Sequence, residues 1–377
     1  VFALVERGAG RHFALDLSRL GGVADRVAAT TRRRYPDLVV PYHSRWRHFG
    51  VGGIDRAALV AADADAAERT RAAIDLAFVS VLLDAGAGAQ WRYREAETGQ
   101  LWGRSEGIAV ASLRAMQAGM FSAAPAQPWR ADAAGLMRLA GERLGDVFQH
   151  SASNPFPGLE ARAALLRRLG EVCRAHPELF GTAARPGHLF DYWRRAGGGL
   201  AAAAMLHTLL ATLGPIWASG PVVDNVALGD CGRHSGLPGD GLVPFHKLTQ
   251  WLAYSLVEPL TAGGIVVTGL DELTGLAEYR NGGLFLDCGV IQPRDPDLLA
   301  HPLAATSEPV VEWRALTVAL LDRLAPAVRA RLGKPASEFP LACVLEGGSW
   351  AAGREVARER RVDGSAPIVI ISDGTLF

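Results

Sequence analysis

A chain of 377 residues, 49% hydrophobic and 21% charged, can bury a substantial core, and its 39 acidic and 39 basic residues create no long-range field for gathering polyanions. Nucleic acid and membrane are therefore not expected as partners, and the longest apolar runs, such as 76–83, are too short to span a bilayer. Four cysteines without a CxxC pair suit neither a disulfide framework nor a structural zinc site, and the first thirty residues resemble no secretion signal, so the expected location is cytoplasmic.

Helical patterns dominate the chain. Residues 55–84 read as one or two helices, with Asp55 as N-cap and a stretch apolar on nearly every face, the mark of a buried helix. Ser105 reads as the N-cap of a second, and others are expected over 132–146, 159–175 and 196–212. Glycine and proline from 217 to 244 predict a long surface loop of the kind that often carries function. A helix over 245–258 follows, opened by Pro244 and stopped by Pro259, then a strand over 265–268. Asp271 reads as the N-cap of a helix over 272–280 that Asn281-Gly-Gly ends in a left-handed turn. Another helix runs from Ser307 or Glu308 towards Leu324, and the C-terminal segment from Ala366 reads as a strand entering a turn. The expected fold class is mainly α with a few short strands, in one large catalytic domain over 1–377, with 1–215 and 216–377 as its candidate lobes.

Two residues stand out chemically. Lys247 and Lys334 are the only lysines among the basic residues, and Lys334 sits in a loop-like Leu-Gly-Lys-Pro. A lysine kept where arginine is the rule suits a need for a compact, titratable ammonium. Lys247 shares a helix face with Gln250, Tyr254 and Glu258, between the aromatic residues Phe245 and Trp251. Taken alone, that face is either a solvated stripe or part of a site. Glu278, placed in the last turn of its expected helix, opposes the helix dipole, so its pKa should tend upward unless Lys247 or Arg280 compensates. That is the description of a poised acid or base. The block 41–53, with His43, Arg45, Arg47 and His48 before a glycine-rich turn, suits either a phosphate or a surface loop. Cys231-Gly-Arg-His234 has the look of half a metal site, but no HExxH or CxxC pair completes it, and no G-x-S-x-G elbow occurs.

Seven blocks together resemble the uracil-catabolism family of the yeast-type URC pathway: Tyr42-His-Ser-Arg-Trp-Arg-His-Phe, Arg104-Ser-Glu-Gly, Val243-Pro-Phe-His-Lys-Leu-Thr-Gln-Trp-Leu, Leu273-Thr-Gly-Leu-Ala-Glu-Tyr-Arg-Asn-Gly-Gly, Val311-Glu-Trp-Arg-Ala-Leu-Thr-Val, Val344-Leu-Glu-Gly-Gly-Ser-Trp and Ser372-Asp-Gly-Thr. That resemblance covers almost the whole chain and implies a role in the step that consumes ribosylurea. A more distant one rests on Lys247, Gln250, Asp271, Leu273, Thr274, Ala277, Tyr279 and Arg280, with Asp75-Leu-Ala-Phe, the 105–119 helix and Glu346 with Trp350. These are similar to queuosine-nucleotide N-glycosidases, relatives of helix-hairpin-helix DNA glycosylases. Glu278 takes the place of that family's catalytic aspartate, Lys247 falls on its lysine, and Asn281-Gly-Gly replaces a Val-Pro-Gln turn.

The resemblance implies a helix-hairpin-helix glycosylase-like domain with additions and an N-glycosidase that releases urea from ribosylurea or its 5′-phosphate, without a cofactor or metal. Glu278 and Lys247 would be catalytic. Asp75 and Asp271 would bind ribose hydroxyls or position the lysine, and Arg45, Arg47 and His48 would hold a phosphate. Gln250, Asn281 and Glu346 would meet urea, with Trp251, Tyr279 and Trp350 walling a pocket to which Ser105, Tyr254 and Arg280 also belong. The expected partner is a nucleoside- or nucleotide-like small molecule. The rival readings are a metal-dependent amidohydrolase using His43, His48, His234 or His246, and a helix-hairpin-helix nucleic-acid-binding module.

Overall fold

A chain this rich in alanine, leucine and arginine favours helix over strand. The computed structural model describes residues 1–88, 90–124, 126–217 and 220–371, and it is 54% helix and 9% strand. The described strands form only two-stranded pairs. No helix among the described residues is long and apolar enough to cross a membrane. Two compact units emerge, each assembled from separated segments, with the chain passing between them after His43, Gly229, Gln250 and Gly269. One unit contains 1–43, 230–250 and 270–371; the other contains 44–229 and 251–269.

The second unit is built around Ala66–Leu82, whose residues from Ile74 to Leu82 are all buried. Its N-cap is Asp65, which accepts from Glu68 N at 2.8 Å. Asp55 lies further upstream, where it accepts from Ala58 N in the short turn Ala57–Leu59. The helix Arg104–Gln117 starts after Gly103, so Ser105 falls inside its first turn and is not the cap. Leu159–Ala175 matches its expected bounds, whereas 132–146 divides into Ala133–Leu136 and Gly141–Val147. Where 196–212 was expected to be wholly helical, the strand Gly199–Ala201 pairs parallel with Val266–Thr268 before the helix Ala202–Leu213. The stretch from 220 to 244 is not a bare loop, because two short antiparallel pairs occupy it, Val222–Val223 with Val226–Ala227 and Cys231–Arg233 with Leu242–Pro244.

Pro259 does not stop its helix, which runs from Lys247 to Ala262. Proline deprives the carbonyl four residues earlier of its usual donor. Here that carbonyl, Ser255 O, accepts the Trp46 indole N–H at 2.8 Å.

Buried charge ties this unit together. Arg56 and Glu95 are both fully buried, joined by Nε–Oε1 and Nη2–Oε2 contacts of 2.7 and 2.5 Å, and Arg114 reaches Glu95 Oε1 at 2.7 Å. The Arg56 hydrogen bonds lead in holding the Glu95 carboxyl down at about 2, against an ordinary 4.5. A lowered folded-state pKa gives stability that is present above the ordinary value and lost as pH falls towards the folded one. Acid unfolding of the wild type should therefore steepen between pH 4.5 and about 2. A Glu95→Gln variant, followed by circular dichroism, should lack that component. An unchanged acid limb in the variant would remove Glu95 as its source.

In the first unit, Glu308–Leu332 is the longest helix, preceded by Ser307 and ended by Gly333 in the left-handed conformation. The sequence places a helix over 272–280, but the chain there is a short turn, Leu270–Glu272, followed by non-helical backbone, and the helix is Tyr279–Asp287. Asn281, Gly282 and Gly283 lie in its first turns and do not end it. The reason is packing, since a Cβ on Gly282 would sit 2.7 Å from the Trp313 indole. A side chain there would push the two helices apart. The same need for close approach recurs at Gly353 of the helix Trp350–Arg360, where a Cβ would meet Arg280 O at 2.4 Å. Directly before Trp350, Leu345–Ser349 is a π-turn, a rare helix form that is frequent at functional sites. The strand Ile370–Ile371 pairs parallel with Leu303–Ala304, and the Ser372-Asp-Gly-Thr turn lies outside the described residues.

Candidate functional site

Lys247 is the first residue of its helix, and Asp230 fixes that start. The backbone carbonyl of Asp230 accepts Phe245 N at 2.9 Å and His246 N at 3.0 Å, and its Oδ2 accepts Lys247 N at 2.9 Å. His246 is held at a φ of 45°, an uncommon value for a residue with a side chain. Arg314 grips Asp230 with both terminal nitrogens, at 2.7 and 2.8 Å. Burial pushes the Asp230 pKa up, but the Arg314 charge and hydrogen bonds outweigh it, so the carboxyl ends below its ordinary range. The Arg314 Nε also donates to Ala277 O at 3.2 Å, one residue before Glu278. One guanidinium thus braces both the start of the Lys247 helix and the approach to Glu278.

Glu278 is buried at the N-cap of Tyr279–Asp287, not in a final turn. Its Oε2 accepts Arg280 N and its Oε1 accepts Asn281 N, each at 2.6 Å. The helix dipole therefore favours its negative charge. Its pKa is nonetheless raised, as the sequence suggests, but through burial and not through the dipole. The two backbone N–H groups, then the charges of Lys247 and His43, pull the other way. The result is a buried carboxyl group fixed by two backbone N–H groups, whose ionised form the charges of Lys247 and His43 favour.

His43 comes from the opposite end of the sequence. Its Nδ1 lies 2.9 Å from Glu346 Oε2, and both residues are buried. Glu346 Oε1 accepts Arg34 Nη2 at 3.0 Å and the Tyr35 hydroxyl at 3.1 Å, while Arg34 Nη1 also donates to the Glu346 backbone carbonyl. Trp350 lies tilted beside the His43 ring, 6.0 Å between centroids. Nearby in sequence to Glu278, the Asn281 side chain is fully buried, and neither of its amide atoms has a hydrogen-bond partner among the described residues. Gln250 Oε1 faces Thr274 N at 3.4 Å.

The remaining residues of the expected site divide between the units. Asp271 accepts Arg329 Nη2 and Leu341 N, Arg280 donates to Gly364 O at 2.9 Å, and Tyr279 lies under the Arg280 guanidinium. Lys247, Gln250, Glu278, Asn281, Glu346 and Trp350 belong to this same unit, whereas Asp75, Arg45, Arg47, His48, Ser105, Trp251 and Tyr254 belong to the other. There, Asp75 is fully buried and accepts Arg185 Nε, Gly187 N and Ala131 N. Arg45, equally buried, donates to Ser80 Oγ, Asp84 Oδ2 and the Ser105 carbonyl, with its guanidinium over the Trp251 ring. His48 meets Trp251 edge-on, Tyr254 is buried, and Arg47 pairs with Glu258. Arg47 and Glu258 also line a cavity of about 640 Å³ with Trp46, Ile54 and Pro259.

The whole chain, residues 1–377, matches the family described as Protein of unknown function (DUF1688). It belongs to that family. Protein urg3 of Schizosaccharomyces pombe is 40% identical to it, over 97% of this chain and 92% of the relative. Uracil catabolism protein 4 of Lachancea kluyveri is 36% identical, over 100% of this chain and 95% of the relative. With coverage this complete, both units of this DUF1688 chain fall within the matched length.

Sequence reasoning missed Asp230, Arg314, Arg34 and Tyr35, and weighed His43 only as part of a phosphate-holding or surface loop or as a metal ligand. No local signal marks the two acid–base pairs, because His43 and Glu346 are 303 residues apart and Asp230 and Arg314 are 84 apart. Among the described residues no three of His, Cys, Asp or Glu are grouped as metal ligands. His234 instead bonds Glu312, and His246 lies against Cys231 Sγ.

Proposed function

We propose that this DUF1688 chain is an N-glycosidase of uracil catabolism, hydrolysing ribosylurea or its 5′-phosphate to urea and ribose or ribose phosphate. The observation that carries the reading is the buried Glu278 carboxyl group, fixed by two backbone N–H groups, whose ionised form the charges of Lys247 and His43 favour. The name of the Lachancea relative supports the pathway, and the likeness of 243–283 to queuosine-nucleotide N-glycosidases supports the bond that is cut.

Breaking a ribosyl C–N bond leaves positive charge on C1 and the ring oxygen while the electron pair departs with nitrogen. A preorganised carboxylate in a site of low polarity stabilises that charge as it develops. Water then bonds to C1, losing one proton, and the leaving nitrogen gains one. Lys247 favours the ionised form of Glu278, and its ammonium would hold the urea oxygen or a phosphate. The Asn281 amide offers one donor and one acceptor side, which match the C=O and N–H of a ureido group.

The decisive experiment incubates the protein with ribosylurea and with its 5′-phosphate and measures free urea. Release from neither substrate sinks the proposal. Lys247 opposes the burial that raises the Glu278 pKa, so Lys247→Met should shift the acid limb of kcat/KM to higher pH. It should also lower kcat/KM by about 10²–10³-fold. A pH profile with an unmoved acid limb would count against the coupling of the two groups.

A further inference from the structure

A buried amide that bonds to nothing is costly to a fold, because the hydrogen bonds it made to water are not replaced. Asn281 is such a group. Its side chain is fully buried, and neither Oδ1 nor Nδ2 has a hydrogen-bond partner among the described residues. A direct contact ties the residue to the reactive carboxyl group, since Glu278 Oε1 accepts the Asn281 backbone N–H at 2.6 Å.

Ser349 is a second case, fully buried, with an Oγ that has no partner among the described residues. It lies one turn before Gly353, where an added Cβ would fall 2.4 Å from Arg280 O. Further along the same pair of helices, Arg361 Nη1 meets Asp287 Oδ1 at 2.8 Å. Tyr279–Asp287 and Trp350–Arg360 therefore advance in the same direction, which puts Ser349 at the end that Glu278 caps. Three unmatched polar atoms thus belong to one end of one helix.

The chemistry of these atoms selects the ligand. All are neutral, so they suit a neutral polar group and not an anion. An amide presents an acceptor oxygen and a donor N–H side by side on one edge, and its complement is a second amide edge met head to tail. In a ribosylurea that edge is the terminal –CO–NH₂. Its carbonyl carbon is bonded to the glycosidic nitrogen, two bonds from C1. The edge and the anomeric carbon therefore need protein partners as close together as Asn281 and Glu278 are.

We propose that Asn281 sets the substrate class of this site, admitting ribosides whose ureido group ends in an unsubstituted –CO–NH₂; the assignment rests on the N-glycosidase reading. Asn281 Nδ2 donates to the ureido oxygen, and Asn281 Oδ1 accepts the N–H on the same side. A single alkyl group on that nitrogen takes the place beside the carbonyl oxygen, as the chain does in a trans peptide, and the reverse arrangement is the costlier one. The methyl of an N′-methyl ureide therefore replaces the N–H that Asn281 reads.

The test gives ribosylurea and N′-methylribosylurea, each also as its 5′-phosphate, to wild type, Asn281→Ala and Asn281→Ser, with thermal melts to check folding. It measures ribose or ribose phosphate, the product common to both. Wild type should favour the unsubstituted ureide by about 10⁴-fold in kcat/KM, the scale of a site built around a hydrogen bond that the analogue lacks. Asn281→Ala should lose about 10²-fold on ribosylurea, the scale of a missing buried hydrogen-bond pair, and bring the two ureides within about tenfold of each other. Asn281→Ser keeps a polar group but cannot present donor and acceptor along one edge, so it should erase the preference as well. Survival of the full preference in either variant, once its melt shows it folded, would overturn the assignment. So would equal turnover of the two ureides by wild type. Should wild type release no sugar from ribosylurea or its 5′-phosphate, the N-glycosidase reading itself fails.

Discussion

Glu278→Gln is expected to lower urea release by about 10³-fold, the scale of losing a preorganised transition-state group. It should also cost about 1–3 kcal/mol of stability. The stability loss follows from the cap. Each Glu278 oxygen accepts a backbone N–H at 2.6 Å, and glutamine keeps one acceptor while turning an NH₂ donor towards the other N–H. Charge removal works in the opposite direction, because burial makes the ionised form of Glu278 costly to the fold and outweighs the favourable charges of Lys247 and His43. Activity and stability are separated by Glu278→Asp. Aspartate is a good N-cap and retains the charge, but its carboxylate sits about one methylene further from C1. That variant should melt near wild type yet turn over ribosylurea more slowly. Full urea release by Glu278→Gln would end the case for this carboxylate, and a stable but inactive Glu278→Gln would remove the capping argument alone.

How much of this was legible in the sequence depended on whether the signal was local. Periodicity placed Leu159–Ala175 to the residue and located the start of Glu308–Leu332, since long apolar faces and a preceding serine are read within one element. The resemblance and the scarcity of lysine picked out Lys247 and Glu278. Their setting was misread, because Asn281-Gly-Gly has the composition of a helix end while Gly282 is demanded by Trp313, a contact made 31 residues away in sequence. Glutamate is also an unusual N-cap, so nothing in Ala-Glu-Tyr-Arg announces a helix start. In sequence the block 41–53 reads as one unit, either a phosphate-holding loop or a surface loop. The structure divides it after His43, which meets Glu346, while Arg45 turns inward to Asp84 and Ser80. Buried pairs between residues hundreds apart leave no trace in a single sequence.

The second large effect is expected at Asp230. Asp230→Asn removes the anion that compensates Arg314, whose side chain is 4% exposed, and stranding a buried guanidinium costs about 3–5 kcal/mol. Adding Arg314→Met should return much of that stability, because an apolar replacement of a buried ion pair is often neutral or better. The asparagine still offers Oδ1 to Lys247 N, so the helix start retains its cap. What the double variant lacks is the bridge, since Arg314 joins the Asp230 carboxylate, which holds the Lys247 backbone N–H, to Ala277 O, one residue before Glu278. The double variant should therefore melt well above Asp230→Asn yet remain about 10²-fold slower than wild type, the scale of a catalytic group misplaced by about 1 Å. Urea release that recovers together with the melting temperature would show that Arg314 stabilises the unit without aligning its two reactive side chains. Recovery of stability alone would mean that the distance between Lys247 and Glu278 is set by this one arginine.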